Sequence, residues 1–100
     1  MNINQMMKQA QQMQERLQKQ MTDMRVEATA GGGMVAVTVN GKFEILSLRI
    51  EKEVVNPEDV EMLQDLIIAA VNQAIRNAQA VVGDEMKKLT GGLKIPGFPG

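Results

Sequence analysis

The chain contains no cysteine and no histidine, and only two of its 100 residues, both phenylalanine, are aromatic. Without cysteine, neither a disulfide framework nor a thiol nucleophile can form. Without histidine, the chain lacks the commonest general base and the commonest metal ligand. No apolar run approaches the roughly 18 residues of a membrane span. The sequence therefore predicts a cytoplasmic protein that is not an enzyme, holds no metal or cofactor, and acts on neither a membrane nor a small-molecule substrate.

Apolar residues nevertheless make up 44% of the chain, which is enough for one small folded domain. Methionine supplies much of this fraction, with nine residues, seven of them at or before position 34. Because methionine packs adaptably but specifies geometry poorly, its enrichment favours a pliable interface over a rigid core.

Charge is unevenly distributed along the chain, although the net charge is only −1. Residues 1–25 and 76–100 each carry two more basic than acidic side chains. Residues 26–75 carry eight acidic side chains against three basic ones. Basic ends around an acidic centre give a weak electrostatic indication of a polyanionic partner.

Residues 3–24 are predicted to form one helix, because they contain neither glycine nor proline and consist mostly of good helix formers. Apolar side chains recur in an a/d heptad pattern. They are Ile3, Met6, Ala10, Met13, Leu17 and Met24. A helix of this length extends about 30 Å and would overhang the core of so small a monomer. The pattern therefore predicts a coiled-coil or intersubunit contact.

Residues 25–51 are predicted to form a three-stranded antiparallel meander. The stretch Arg25–Thr29 alternates polar and apolar side chains, as a half-buried strand does. Gly31–Gly33 then allow a turn into a run rich in β-branched residues.

The connection between the second and third strands is the pair Asn40-Gly41, a strong hairpin signal. Its register is left open by the sequence. A two-residue loop would pair Val39 with Lys42, and a three-residue loop with a glycine bulge would pair Val39 with Phe43. Either register leaves apolar residues on both faces of the sheet, which predicts cover from a second subunit.

Residues 57–89 are predicted to form the second helix, with Asn56 as its cap and Pro57 at its first position. Apolar side chains follow at helical spacing and predict a face packed on the sheet. The sequence leaves open whether this helix breaks near Gly83.

The predicted fold class is α+β, with one domain over residues 1–90 in the order helix, three strands, helix. Residues 91–100 are rich in glycine and proline and are predicted to form a flexible tail.

Two clusters resemble chemical sites but are better explained by structure. The acidic group Glu58, Asp59, Glu61 and Asp65 has no histidine or cysteine to join it, and acidic residues favour a helix N-terminus. Gly31–Gly33 are followed neither by Lys-Ser/Thr nor by a helix, so they do not form a phosphate-binding loop.

The segment that resembles a known protein family is residues 31–79, with the sequence GGGMVAVTVNGKFEILSLRIEKEVVNPEDVEMLQDLIIAAVNQAIRNAQ. The matching pieces are the glycine triplet with Met34-Val35, then Val37–Gly41, Leu46–Leu48, Val54-Val55, Glu61–Leu63, Asp65–Ile67 and Ala69–Asn72. Together they closely resemble the YbaB/EbfC family of bacterial nucleoid-associated proteins. The Gln/Met-rich first helix and the Gly/Pro tail are also similar to that family. Phe43 departs from the pattern, because the family more often places a small residue there.

The resemblance implies a homodimer shaped like tweezers, with helical arms that project from a central sheet body. It also implies binding of double-stranded DNA with little sequence demand, association with the nucleoid, and effects on nucleoid organisation and gene expression. The family's motif positions are mainly structural, so the candidate DNA contacts come from the charge pattern. They are Lys8, Arg16 and Lys19 on the first helix and Arg76, Lys87 and Lys88 near the other end.

Two interpretations of these basic residues remain. With no aromatic side chain among them to stack on bases, they would make salt-sensitive phosphate contacts without sequence discrimination. Alternatively, they are the solvated face of an amphipathic helix in a dimeric adaptor or chaperone-like protein that binds other proteins. The methionine stripe and the net charge of −1 suit this alternative.

Overall fold

The computed structural model describes residues 2–90, which form two helices joined through a three-stranded antiparallel sheet. The elements are α1 (Ile3–Asp23), β1 (Val26–Ala30), β2 (Val35–Val39), β3 (Ile45–Ile50), a 3-10 turn (Lys52–Val54) and α2 (Val60–Thr90). The strands lie in the order β1-β2-β3. The α+β fold, its element order and the meander are confirmed.

Helix α1 leaves the body of the protein as an arm. Its buried residue is Met21, and the side chains of its first turns are exposed. The chain accordingly measures 68 × 28 × 16 Å with a radius of gyration of 19.0 Å, against about 13 Å for a compact domain of 100 residues.

The core lies between α2 and one face of β1 and β2. Ala70, Ala74 and Ala78, four residues apart on one side of α2, are fully buried. Their small side chains let the helix lie close to the sheet, against the fully buried Val35 and Val37 of β2. The helix was predicted to place its apolar face on the sheet, and it does.

Strand β3 remains largely outside this core. Leu48 lies opposite Val37 and therefore on the face that α2 covers, yet Leu48 is 47% exposed. Ile45 and Leu46 are 52% and 43% exposed. We call Ile45, Leu46 and Leu48 the β3 strip. It is an apolar surface at the edge of the sheet, beside the region where α2 packs.

The register of the β2–β3 hairpin differs from both predicted registers. Val39 lies opposite Ile45 rather than Lys42 or Phe43, and the pairing is interrupted by an irregularity next to Val39. Residues 40–44 therefore separate the two strands, and a turn within them is closed by Phe43 N, which donates to the carbonyl oxygen of Asn40 at 3.1 Å.

This connection forms around the side chain of Asn40, which is 1% exposed. Its Oδ1 accepts hydrogen bonds from the backbone N–H groups of Lys42 (2.9 Å) and Glu44 (3.1 Å). Its Nδ2 donates to Oε1 of Glu44 at 2.8 Å. Positive φ falls at Phe43 (64°) and not at Gly41. The side-chain hydrogen bonds of Asn40, rather than a tight Asn-Gly turn, thus determine the register.

Gly31, Gly32 and Gly33 connect β1 to β2 with φ values of 63°, 68° and 93°. This conformation suits glycine and is costly for other residues. The predicted glycine turn is therefore confirmed.

Helix α2 begins at Val60, one turn later than predicted. Asn56 does accept a hydrogen bond, but from Glu58 N (3.0 Å), and this bond forms a turn that precedes the helix. Asp59 caps the helix instead, since its Oδ1 accepts from Met62 N at 3.2 Å. Asn56 and Asp59 are both good caps, and the tertiary structure selects the second.

Helix α2 continues without a break through Gly83 to Thr90. The predicted tail, residues 91–100, lies outside the described residues. Among residues 2–90, no helix is long and apolar enough to cross a membrane.

Candidate nucleic-acid interface

Helix α1 brings three of the candidate residues onto one face. At 3.6 residues per turn, Lys8, Arg16 and Lys19 fall within about a quarter turn of one another. All three are exposed. They span about 16 Å along the helix axis. We call these three residues the basic face.

The opposite side of α1 carries the apolar heptad residues predicted from the sequence. Ile3, Met6 and Met13 are 71%, 52% and 67% exposed. Within the described part of this chain, nothing covers them. The predicted coiled-coil or intersubunit contact of this apolar stripe stays a prediction, and α1 separates it from the basic face by roughly half a turn.

The cations of the basic face form no ion pair with any residue that the structure describes. Among residues 2–90, the salt bridges are Arg49–Glu51 (3.7 Å) and Lys88–Glu85 (3.3 Å), and neither involves α1. Helix α1 has no acidic residue in its first turn, so the positive end of its dipole is not neutralised there. The arm therefore presents three cations that form no ion pair among the described residues, and Glu15 and Asp23 lie on the same side of the helix.

The candidate residues on α2 occupy a different setting. Arg76 is exposed and donates from Nη2 to Oε1 of Gln73 at 3.0 Å. Lys87 and Lys88 are exposed in the last turn of α2, at the negative end of its dipole. Arg76 lies about 16 Å away from Lys87 along the helix.

One hydrogen bond connects the two helices near these lysines. Gln20 Nε2 of α1 donates to Oε2 of Glu85 at 3.0 Å, and Oε1 of the same carboxylate pairs with Lys88. The structure thus brings the end of α2 with Lys87 and Lys88 to the last turns of α1. Arg76 lies elsewhere on α2 and is not brought near the last turns of α1 with these two lysines.

Two further basic residues were not predicted as candidates. Arg25 donates from Nη1 to the carbonyl oxygens of Thr22 and Met24, both at 2.9 Å, so it caps the C-terminus of α1. Lys42 is an exposed cation in the β2–β3 loop, next to Gly41, which contacts Met21 of α1. No sequence signal reveals Lys42, because this contact joins residues distant in sequence.

The acidic cluster near the start of α2 gives no sign of a metal site. Among residues 2–90, no three or more histidine, cysteine or acidic residues are grouped so that they could hold a metal ion. The four acidic side chains are exposed around the start of α2, where negative charge is favourable to the helix dipole.

Comparison with known proteins adds an independent line of evidence. Residues 1–93 match the family model of the YbaB/EbfC DNA-binding family. A nucleoid-associated protein of Clostridium novyi (strain NT) is 58% identical over 98% of this chain and 89% of its own length. A nucleoid-associated protein of Thermoanaerobacter pseudethanolicus is 56% identical over 97% of this chain and 90% of its own length. The resemblance predicted from the sequence is confirmed.

The fold also occurs in a solved structure. The crystal structure of an uncharacterised protein from Helicobacter pylori matches this chain with a TM-score of 0.71 at 24% sequence identity. The match covers 91% of this chain and 99% of the other. At this identity the likeness supports the fold alone.

Proposed function

Because the chain belongs to the YbaB/EbfC DNA-binding family, a family of nucleoid-associated proteins and not of enzymes, we propose that it binds double-stranded DNA as a homodimer. Binding is mainly to phosphates and has little sequence specificity. Through it, the protein associates with the nucleoid and influences nucleoid organisation and gene expression. No cofactor or small-molecule substrate takes part.

The observation that carries this proposal is the basic face of the α1 arm. Lys8, Arg16 and Lys19 are exposed, lie on one side of the helix and have no ion-pair partner among the described residues. Lysine and arginine bind DNA by neutralising phosphates and releasing counterions. Their span of about 16 Å corresponds to about five phosphates at 3.4 Å per strand.

Low specificity follows from what α1 lacks. The helix has no aromatic side chain, so stacking on bases is unavailable to it. Lysine contacts to phosphates set the position of a protein on the duplex but carry no sequence information. Affinity should therefore depend strongly on salt and weakly on DNA sequence.

The homodimer is supported by the β3 strip. Ile45, Leu46 and Leu48 are three half-exposed apolar residues within four positions of β3, and β3 is an edge strand with unpaired backbone groups. A second copy of the chain covers this surface and brings two α1 arms to one duplex. The acidic residues of the body remain away from the phosphates.

Charge reversal on the arm tests the proposal against a matched control. The arm variant is Lys8→Glu/Arg16→Glu, and the control is Lys42→Glu/Lys52→Glu in the body, which makes the same change in charge at exposed sites outside β3. Binding to a fluorescent duplex of about 30 base pairs is measured by anisotropy at low salt. The arm variant should bind at least about 100-fold more weakly, because each dimer loses four phosphate contacts. The control should stay within a few-fold of the wild type. Equal binding by both variants would exclude the basic face as the interface.

The alternative function is a dimeric adaptor or chaperone-like protein. The exposed apolar stripe of α1 favours it, since Met6 and Met13 are the adaptable side chains that promiscuous protein-binding surfaces use. It predicts that the wild type does not bind duplex DNA even at low salt. It also predicts that partner binding depends on Met6 and Met13 and not on Lys8 and Arg16.

A further inference from the structure

The base of the α1 arm rests directly on the loop between β2 and β3. Gly41 N donates to the carbonyl oxygen of Met21 at 2.8 Å. A Cβ atom at position 41 would lie 2.9 Å from that oxygen and 3.0 Å from Met21 Cα. Both neighbours are backbone atoms, so no side-chain rotation could relieve the contact. Since Gly41 does not have positive φ, glycine is required here for the close approach of α1 and not for the turn.

Both sides of this contact are held in place. On the loop side, buried Asn40 binds the backbone of Lys42 and Glu44 and fixes the loop that carries Gly41. On the helix side, Met21 is only 7% exposed, and Arg25 caps the helix end a few residues later. The contact is therefore a rigid support at the point where the arm begins.

We propose that the Gly41–Met21 contact is the joint that fixes the direction of α1 relative to the sheet. Gly41 is then a positioning residue for DNA binding, although it does not touch the DNA itself. This inference rests on the proposed function, because it concerns how the basic face is presented to phosphates.

The length of the arm makes its direction critical. Lys8 lies about 20 Å along the helix from Met21. A tilt of about 10° at the joint therefore moves Lys8 by about 3.5 Å, which is close to the rise of about 3.4 Å per phosphate of one strand along the duplex axis. A small change at the base of the arm displaces the basic face by a full step on the duplex.

The direction of the arm can be measured by pulsed electron resonance between two spin labels. The chain has no native cysteine, so Gln9→Cys on α1 and Asn72→Cys on α2, both exposed, label one site each. Labelled protein is diluted with unlabelled protein so that only distances within one protomer contribute. The test variant is Gly41→Ala. The control is Gly83→Ala, because a Cβ at Gly83 meets nothing within 4 Å.

Gly41→Ala should shift or broaden the label distance by several ångströms and weaken duplex binding about 10-fold with a smaller salt dependence. Gly83→Ala should change neither. Met21→Ala adds no atom but removes the buried side chain, so it should broaden the distance around the same mean, and it serves as the test should Gly41→Ala fail to fold. Circular dichroism checks the fold of each variant.

If the label distance is unchanged in folded Gly41→Ala, the contact does not fix the direction of α1 and the proposal is wrong. The proposal is also wrong if the distance changes but DNA affinity and its salt dependence do not. Failure of the proposed function looks different: the wild type itself would not bind duplex DNA. The label distance alone then decides whether the joint exists.

Discussion

Replacing Leu48 by alanine is expected to weaken the homodimer without unfolding the protomer. Leu48 lies in the middle of the β3 strip, opposite Val37. Its own protomer covers only about half of it, since 47% of the residue is exposed. A second copy that packs on the β3 strip would bury the remainder.

The size of the effect follows from the exposed fraction. Complete burial of a leucine side chain stabilises a folded or associated state by about 1.5–3 kcal/mol. Burial of the remaining half in the interface should therefore contribute about 1 kcal/mol to the free energy of dimerisation. A two-fold symmetric interface contains the residue twice. Leu48→Ala should therefore cost about 2 kcal/mol of dimerisation free energy, which is about 30-fold in Kd.

Sedimentation equilibrium over a series of protein concentrations measures the dimer Kd. Ile68→Ala is the control, because Ile68 is 57% exposed on α2 and belongs neither to the β3 strip nor to the apolar stripe of α1. It should change the Kd by less than about 3-fold, since the mutated side chain lies outside the strip. The reasoning is refuted if Leu48→Ala dimerises as tightly as the wild type, or if both variants weaken the dimer equally.

Two further predictions concern stability, and thermal unfolding followed by circular dichroism measures both. Gly33 (φ 93°) and Gly83 (in α2) both face open space, so they differ in backbone conformation alone. Gly33→Ala should lower the free energy of unfolding by about 1–2 kcal/mol and lower the Tm, whereas Gly83→Ala should raise that free energy by about 0.5–1 kcal/mol and raise the Tm. Changes of the same sign in both variants would contradict the argument from backbone conformation. Asn40→Ala should destabilise by about 2 kcal/mol, because it removes the three hydrogen bonds that the buried Asn40 side chain makes within the loop. A loss below about 0.5 kcal/mol would show that the loop does not depend on Asn40.

The helices and the element order could be predicted from the sequence, because they depend on local signals. Helical periodicity and the lack of glycine and proline identified α1, and the glycine triplet identified the first turn. The start of α2 was predicted one turn early, because Asn56 and Asp59 are both capable caps and local sequence does not rank them.

The register of the β2–β3 hairpin was not predictable from the Asn-Gly pair. That signal assumes a tight turn with positive φ at both residues. Here Asn40 is buried and Gly41 lies against Met21 of α1. Neither contact is visible locally, since one depends on the fold of the loop and the other on an element 20 residues away.

The basic face followed from helical periodicity, which places Lys8, Arg16 and Lys19 together in any straight helix. The relation between α1 and the basic end of α2 did not follow from the sequence. It depends on the tertiary contact between Gln20 and Glu85. The role of Arg25 as a helix cap was likewise hidden, because charge counting does not distinguish a cap from a free cation.

The central claim is that a homodimer holds DNA phosphates with two basic arms. Its most direct test is a titration of the wild type with two duplexes of unrelated sequence over a salt series. Three cations on each of two arms neutralise about six phosphates, so log K should fall linearly with log salt with a slope of about −5, and more steeply where α2 contributes. Both duplexes should give the same slope and affinities within a few-fold. A slope near zero, or no binding at low salt, would contradict the account.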